Sequence, residues 1–110
     1  MRHVGELEIL MILAVLRLGD GAYGVTVLEE LEKETSRTLT LGTVYKTLLR
    51  LEDKGFLRSQ ASDPVPERGG RQKKLYEVTA SGLETVRHSV GDMRRMTRGL
   101  ETQLEPEMSR

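Results

Sequence analysis

The chain has 110 residues, enough for one domain with a modest core, and its 17 basic and 17 acidic residues leave no formal net charge. It has no cysteine, which excludes disulfides, thiolate nucleophiles and thiolate-bound metals, and its two histidines, His3 and His88, stand in no metal-ligand spacing. No metal and no cofactor is expected, and any attraction to a polyanion must come from how charge is distributed rather than from its sum.

Residues 7–18 form an apolar run interrupted by Glu8 and Arg17. The run is too long for an ordinary strand and ends at Gly19, which predicts a helix. It falls short of the ~18 apolar residues of a membrane span. Glu6 and Glu8 spoil the basic leader of a signal peptide and no small-residue cleavage site follows, so a cytoplasmic protein with no membrane partner is expected. A helix apolar nearly all round must be covered on more than one side. Met11 and Val15 are therefore assigned to a contact with a partner subunit.

Gly19–Gly24 reads as a turn, and a second helix is expected over about 25–35, with Leu28 and Leu31 inward and the glutamates outward. Ser36–Leu39 makes the next turn. Thr40 is a fitting N-cap for a third helix, because its hydroxyl can accept an orphan backbone N–H; Gly55 ends that helix. Within it Leu41, Val44, Leu48 and Leu51 recur at helical spacing and mark the buried stripe. The opposite face is expected to carry Thr43, Lys46, Thr47, Arg50 and Lys54, with Tyr45 at the edge of the buried stripe.

From Phe56 the pattern changes. Phe56–Ala61 and Leu75–Thr79 read as short strands around the turn-rich loop 63–72, which contains Arg68-Gly69-Gly70-Arg71. Thr79 or Ser81 caps a last helix, and Ser81 with Glu84 fits a capping box. This helix is expected to continue until Pro106. Its apolar positions Leu83, Val86, Val90, Met93, Leu100 and Leu104, with Thr97 filling one slot, form a heptad seam that predicts pairing with a second copy. Gly91 and Gly99 weaken it by about 1 kcal/mol each relative to alanine.

Charge is unevenly placed. From Ser36 to Leu75 nine cations face four anions, a surplus of five, whereas residues 29–34 read Glu-Glu-Leu-Glu-Lys-Glu. A helix that shows hydroxyls and long cations to solvent, followed by a basic hairpin tip, is suited to a double-stranded DNA partner. The predicted architecture is mainly α with a small β-hairpin: a winged helix-turn-helix over residues 1–79, a C-terminal dimerisation helix over 80–105 and a frayed tail over 106–110.

Two other readings stand beside this one. Gly19-x-Gly21-x-x-Gly24 matches a dinucleotide-binding fingerprint, but no acidic residue stands about twenty positions on and the chain is too short for two mononucleotide-binding halves. A winged helix can also serve as a protein–protein adaptor without binding DNA. Against that stands the cationic row of the third helix, where a protein-binding surface would more often be aromatic or aliphatic.

The sequence resembles the PadR family of bacterial transcriptional regulators over nearly its whole length. The resemblance is carried by Gly5-Glu-Leu-Glu, Tyr23-Gly24, the run Leu41–Leu57, the wing Glu67-Arg-Gly-Gly-Arg-Gln-Lys-Lys-Leu-Tyr, and Val78-Thr-Ala-Ser-Gly. It implies a homodimeric repressor of the short form with a single C-terminal helix, often responsive to small hydrophobic or phenolic effectors. Some relatives of that form use tryptophan at the dimer centre to stack ligands; this chain has no tryptophan. The family pattern also implies that the Tyr45 hydroxyl meets DNA.

The expected interface follows. The third helix enters the major groove, with Thr43 and Lys46 placed to reach bases and Thr47 and Arg50 nearer the phosphates. Thr40 stands at its start, and Tyr23 can hydrogen-bond a phosphate beside the second helix's N-terminus. In the wing, Gly69 and Gly70 allow a tight turn, and Arg68 and Arg71, backed by Lys73, reach the backbone or minor groove. Because the chain has no asparagine and the third helix no glutamine, adenine is not read by a carboxamide there.

Overall fold

The computed structural model describes residues 4–62 and 73–105. Helix α1 spans Glu6–Leu18, α2 Gly24–Glu34 and α3 Leu41–Asp53; strands β1 (Leu57–Ala61) and β2 (Lys74–Val78) follow, then α4 (Ala80–Thr97) and the short α5 (Glu101–Leu104). This is the order the sequence predicts, with one addition at the end. A single 3-10 turn at Gly19–Gly21 joins α1 to α2. The glycine fingerprint thus follows a helix rather than a strand, which removes the dinucleotide-binding reading.

Each helix begins where its local chemistry favours it. Gly5 N–H donates to Glu8 Oε1 at 3.0 Å, and Tyr23 N–H donates to Thr26 Oγ1 at 3.0 Å. Thr40 Oγ1 accepts from Thr43 N–H at 3.1 Å, as expected of an N-cap. Gly55 follows α3 at φ +84°, a left-handed conformation that glycine adopts without the penalty of a Cβ. The cap of α4 is Thr79, which accepts from Gly82 N–H, and the Ser81–Glu84 capping box does not form.

β1 and β2 pair antiparallel, with Leu57 opposite Val78, Ser59 opposite Tyr76 and Ala61 opposite Lys74. Tyr76 N–H donates to the Ala22 carbonyl at 2.8 Å, tying the hairpin to the α1–α2 turn. One core runs through the molecule: Met11, Ile12, Ala14 and Val15 of α1 meet Val27 and Leu31 of α2, Val44, Leu48 and Leu51 of α3, and Phe56, Leu57, Tyr76 and Val86. Burial of these side chains, each worth about 1.5–3 kcal/mol when large and fully covered, is the main force fixing α3 on the domain.

Met11 and Val15 are therefore not dimer-interface residues. Both lie in the chain's own core, in one cluster with residues of α2, α3, the hairpin and α4, and Met11 has no exposed surface at all. Val86, also assigned to the seam, is buried in the same core. What remains open on α1 is a different stripe: Ile9 and Leu13 are half-buried and Leu16 is 42% exposed, spaced at i, i+4 and i+7.

The last helix does not run to Pro106. It stops at Thr97; Arg98 is extended and Gly99 stands at φ +85° before α5 begins. A glycine free to enter the left-handed region ends the helix. The seam is continuous only along α4, and Leu100 and Leu104 lie beyond the break. The principal extents of 53 × 35 × 21 Å describe an elongated molecule.

Candidate nucleic-acid interface

The outward side of α3 is the candidate site, and two acidic residues fix the helix from opposite sides. Glu8 of α1 is buried, yet its carboxylate accepts from Lys54 Nζ at 2.9 and 3.0 Å, from Arg50 Nε at 3.2 Å and from Gly5 N–H. Burial pushes its pKa up. The Lys54 ammonium, the Gly5 N–H and the Arg50 guanidinium together outweigh that and hold it below the usual glutamate range. On the other flank, Glu52 accepts from Ser59 Oγ at 2.7 Å and pairs with Lys74 at 3.4 Å, joining α3 to both strands of the hairpin.

These contacts sort the cations expected on α3 into three kinds. Lys46 is exposed and has no ion-pair partner among the described residues. Arg50 remains 56% exposed but is tethered to Glu8, and Lys54, at 23%, is largely withdrawn beside the same carboxylate. Thr43 is exposed, its hydroxyl 3.0 Å from that of Thr40.

Thr47 is not on the outward face. It is 1% exposed, between Val44, Leu48 and Leu51, and its hydroxyl donates to the Thr43 carbonyl at 2.8 Å. A threonine that satisfies its hydroxyl within its own helix packs like a β-branched hydrophobe, so Thr47 is removed from the phosphate-contacting set.

Tyr45 is 44% exposed, with its ring laid against Gly24 at the start of α2. A Cβ on Gly24 would overlap that ring and lie 2.8 Å from its hydroxyl oxygen. Tyr23, one residue before, is half-buried, and Lys73 Nζ sits 4.2 Å from the centroid of its ring. A cation over a tyrosine face is attracted by the ring quadrupole. Tyr23, Tyr45 and Lys73 thus connect the start of α2, the flank of α3 and the base of the hairpin. Arg68, Gly69, Gly70 and Arg71 lie outside the described residues.

The C-terminal part carries a second candidate surface. Met93, Met96, Leu100 and Leu104 are 65, 75, 42 and 56% exposed, Leu83 and Thr97 are half-buried, and Val90 packs against the core. Sequence reasoning overlooked Met96. Among the described residues no group of acidic or imidazole side chains could hold a metal ion, and no helix is long and apolar enough to cross a membrane.

The fold is shared with solved regulators. A PadR family transcription regulator from Clostridium difficile is 24% identical, with a TM-score of 0.71 over 93% of this chain and 100% of that one. A PadR family transcriptional regulator from Eggerthella lenta is 26% identical, with a TM-score of 0.67 over 93% and 88%. PadR of Bacillus subtilis, solved in complex with operator DNA, is 21% identical with a TM-score of 0.65, and the match covers 77% of this chain and 46% of that longer one. No curated protein sequence matches the chain. The sequence model of the transcriptional regulator PadR-like family matches residues 12–88, most of the chain from the middle of α1 into α4, and the chain belongs to that family.

Proposed function

We propose that this regulator is a homodimeric, non-enzymatic repressor that binds a palindromic operator in the cytoplasm. In this reading α3 lies in the major groove, and the wing, residues 63–74, lies on the backbone or minor groove. The observation that carries it is the exposed side of α3, where Lys46 stands without an ion-pair partner among the described residues and Thr43, Arg50 and Tyr45 flank it. Lys46 reads a base edge, Arg50 meets phosphate while Glu8 limits its range, and Tyr23 with Lys73 approaches the backbone beside α2. The Bacillus subtilis relative solved with operator DNA supports the assignment of duplex DNA as the partner.

The test is affinity for duplex DNA as a function of salt. Binding should weaken linearly in log–log form. Arg71→Ala should lower affinity for every sequence and reduce the slope by about one unit, whereas Lys46→Ala should alter discrimination between operators by about tenfold. An unchanged slope for the first variant removes the wing from the interface. A uniform loss for the second assigns Lys46 to phosphate. Absence of any salt-dependent duplex binding would favour a protein–protein adaptor instead.

Dimerisation is proposed through the open apolar surface of α4 and α5, with the Ile9–Leu13–Leu16 stripe of α1 as a further contributor. Two copies would then present α3 about one DNA turn (~34 Å) apart. Met93→Glu, which places a charge on that surface, should shift the protein to monomer in sedimentation experiments and leave the helical signal in place. A dimer of undiminished strength would put the interface elsewhere. A small hydrophobic or phenolic effector held between the copies would act by favouring a different α4 crossing, and hence a different α3 separation.

A further inference from the structure

The outermost ridge of α3 is Gly42, Lys46, Leu49 and Asp53, which follow one another at spacings of four, three and four residues. All four are exposed, opposite the buried Val44, Thr47, Leu48 and Leu51. Leu49 is 48% exposed in the middle of that ridge, one turn beyond Lys46. A lone exposed leucine on an ordinary surface needs no explanation. Here the leucine occupies the line that points away from the core, on the helix with the open lysine, and a gain from burying it requires an apolar partner.

The helix's polar side chains narrow what that partner is. α3 contains neither asparagine nor glutamine, so it has no carboxamide to pair with adenine. Lys46 supplies donors suited to the acceptors of guanine. The apolar feature that the major groove offers is the C5 methyl of thymine. From Gly42 to Leu49 the ridge rises about 10.5 Å, or about three base-pair steps of ~3.4 Å.

Resting on the proposed placement of α3 in the major groove, we infer that Leu49 is a specificity-determining residue that reads the C5 methyl of a thymine in each half-site. A·T pairs in the operator are then recognised through thymine rather than through the adenine edge.

The experiment uses the full chain and the duplex it binds best from a random pool. Each thymine is replaced in turn by deoxyuridine, which removes the methyl and keeps the base pairing. One position per half-site should lose about fourfold in affinity, the worth of one buried methyl-sized group. In Leu49→Ala, whose fold is checked by circular dichroism, that loss should vanish while the remaining thymines behave as in the parent protein. Leu49→Met, apolar and of similar volume, should restore it.

An equal uridine penalty in the parent and in Leu49→Ala would overturn the inference, since another group would then be reading the methyl. Insensitivity to uridine at every position would also overturn it, while leaving DNA binding intact. Failure to enrich any duplex at all would overturn the functional proposal itself, and this inference with it.

Discussion

Adding one methyl group at position 82 is expected to cost about 3 kcal/mol of folding stability. The same change at position 91 of the same helix is expected to add about 1 kcal/mol. Gly82 lies in the first turn of α4, where the helix meets the end of α3 and the hairpin. A Cβ there would run into the carbonyl oxygen of Phe56 and lie 3.0 Å from both its carbonyl carbon and Val78 Cγ1. That oxygen already accepts from Thr79 N–H at 3.1 Å, and the Thr79 hydroxyl donates to the Gly55 carbonyl at 2.6 Å while accepting from Gly82 N–H. Backbone held by so many bonds cannot move aside as the end of a flexible side chain would. At Gly91 the nearest atom to an added Cβ is Arg95 Nη1 at 3.5 Å, an ordinary contact, so alanine keeps its helical advantage. Urea denaturation of Gly82→Ala and Gly91→Ala against the parent protein measures both; equal midpoints would refute the packing described.

Glu8→Ala is expected to destabilise by about 2–3 kcal/mol near neutral pH, because it strips Lys54 and Arg50 of their shared acceptor. The figure stays below that for a fully buried pair because Arg50 is 56% exposed and Lys54 23%, so water takes over part of the solvation. The pH dependence has a definite sign. Glu8 has a lower pKa in the folded chain than in the unfolded one, so its stabilisation is complete above the ordinary glutamate pKa of about 4.3. It is lost as the pH falls through the folded value. Thermal melts of the parent and Glu8→Gln should therefore differ most above about pH 5 and converge in acid. A gap that persists unchanged at low pH would mean that shape, not charge, makes Glu8 matter.

Much of this arrangement can be read from the residues, and where it cannot, the reasons are physical. Leucines at helical spacing between Thr40 and Gly55 locate α3 closely, because an N-cap hydroxyl and a left-handed glycine are local signals. Thr47 misleads because its side chain is polar by composition and apolar in use, its hydroxyl being satisfied one turn back. Met11 and Val15 mislead for another reason. An all-round apolar helix says that several neighbours are needed, but not whether they belong to the same chain, and here α2, α3 and α4 supply them. The partnership of Glu8 with Arg50 and Lys54 spans more than forty residues of sequence, and nothing local announces it. The end of α4 at Thr97 was signalled by Gly99, which sequence reasoning treats as a weakness in a continuing helix rather than as its stop.

The molecule that results holds its proposed reading head between two acids. Glu8 draws the C-terminal cations of α3 toward α1, Glu52 ties the helix to the hairpin, and Lys46 is left outward. Variants of Lys46 should therefore alter what is read, and variants of Glu8 the stability of the helix that reads it.

The most direct test is selection of bound duplexes from a random pool by the intact protein, followed by sequencing. Two inverted half-sites with centres about 10 base pairs apart should emerge, as paired copies of α3 one helical turn apart would demand. A pool that stays random, or that yields a single half-site without a mate, would contradict a paired reader of duplex DNA.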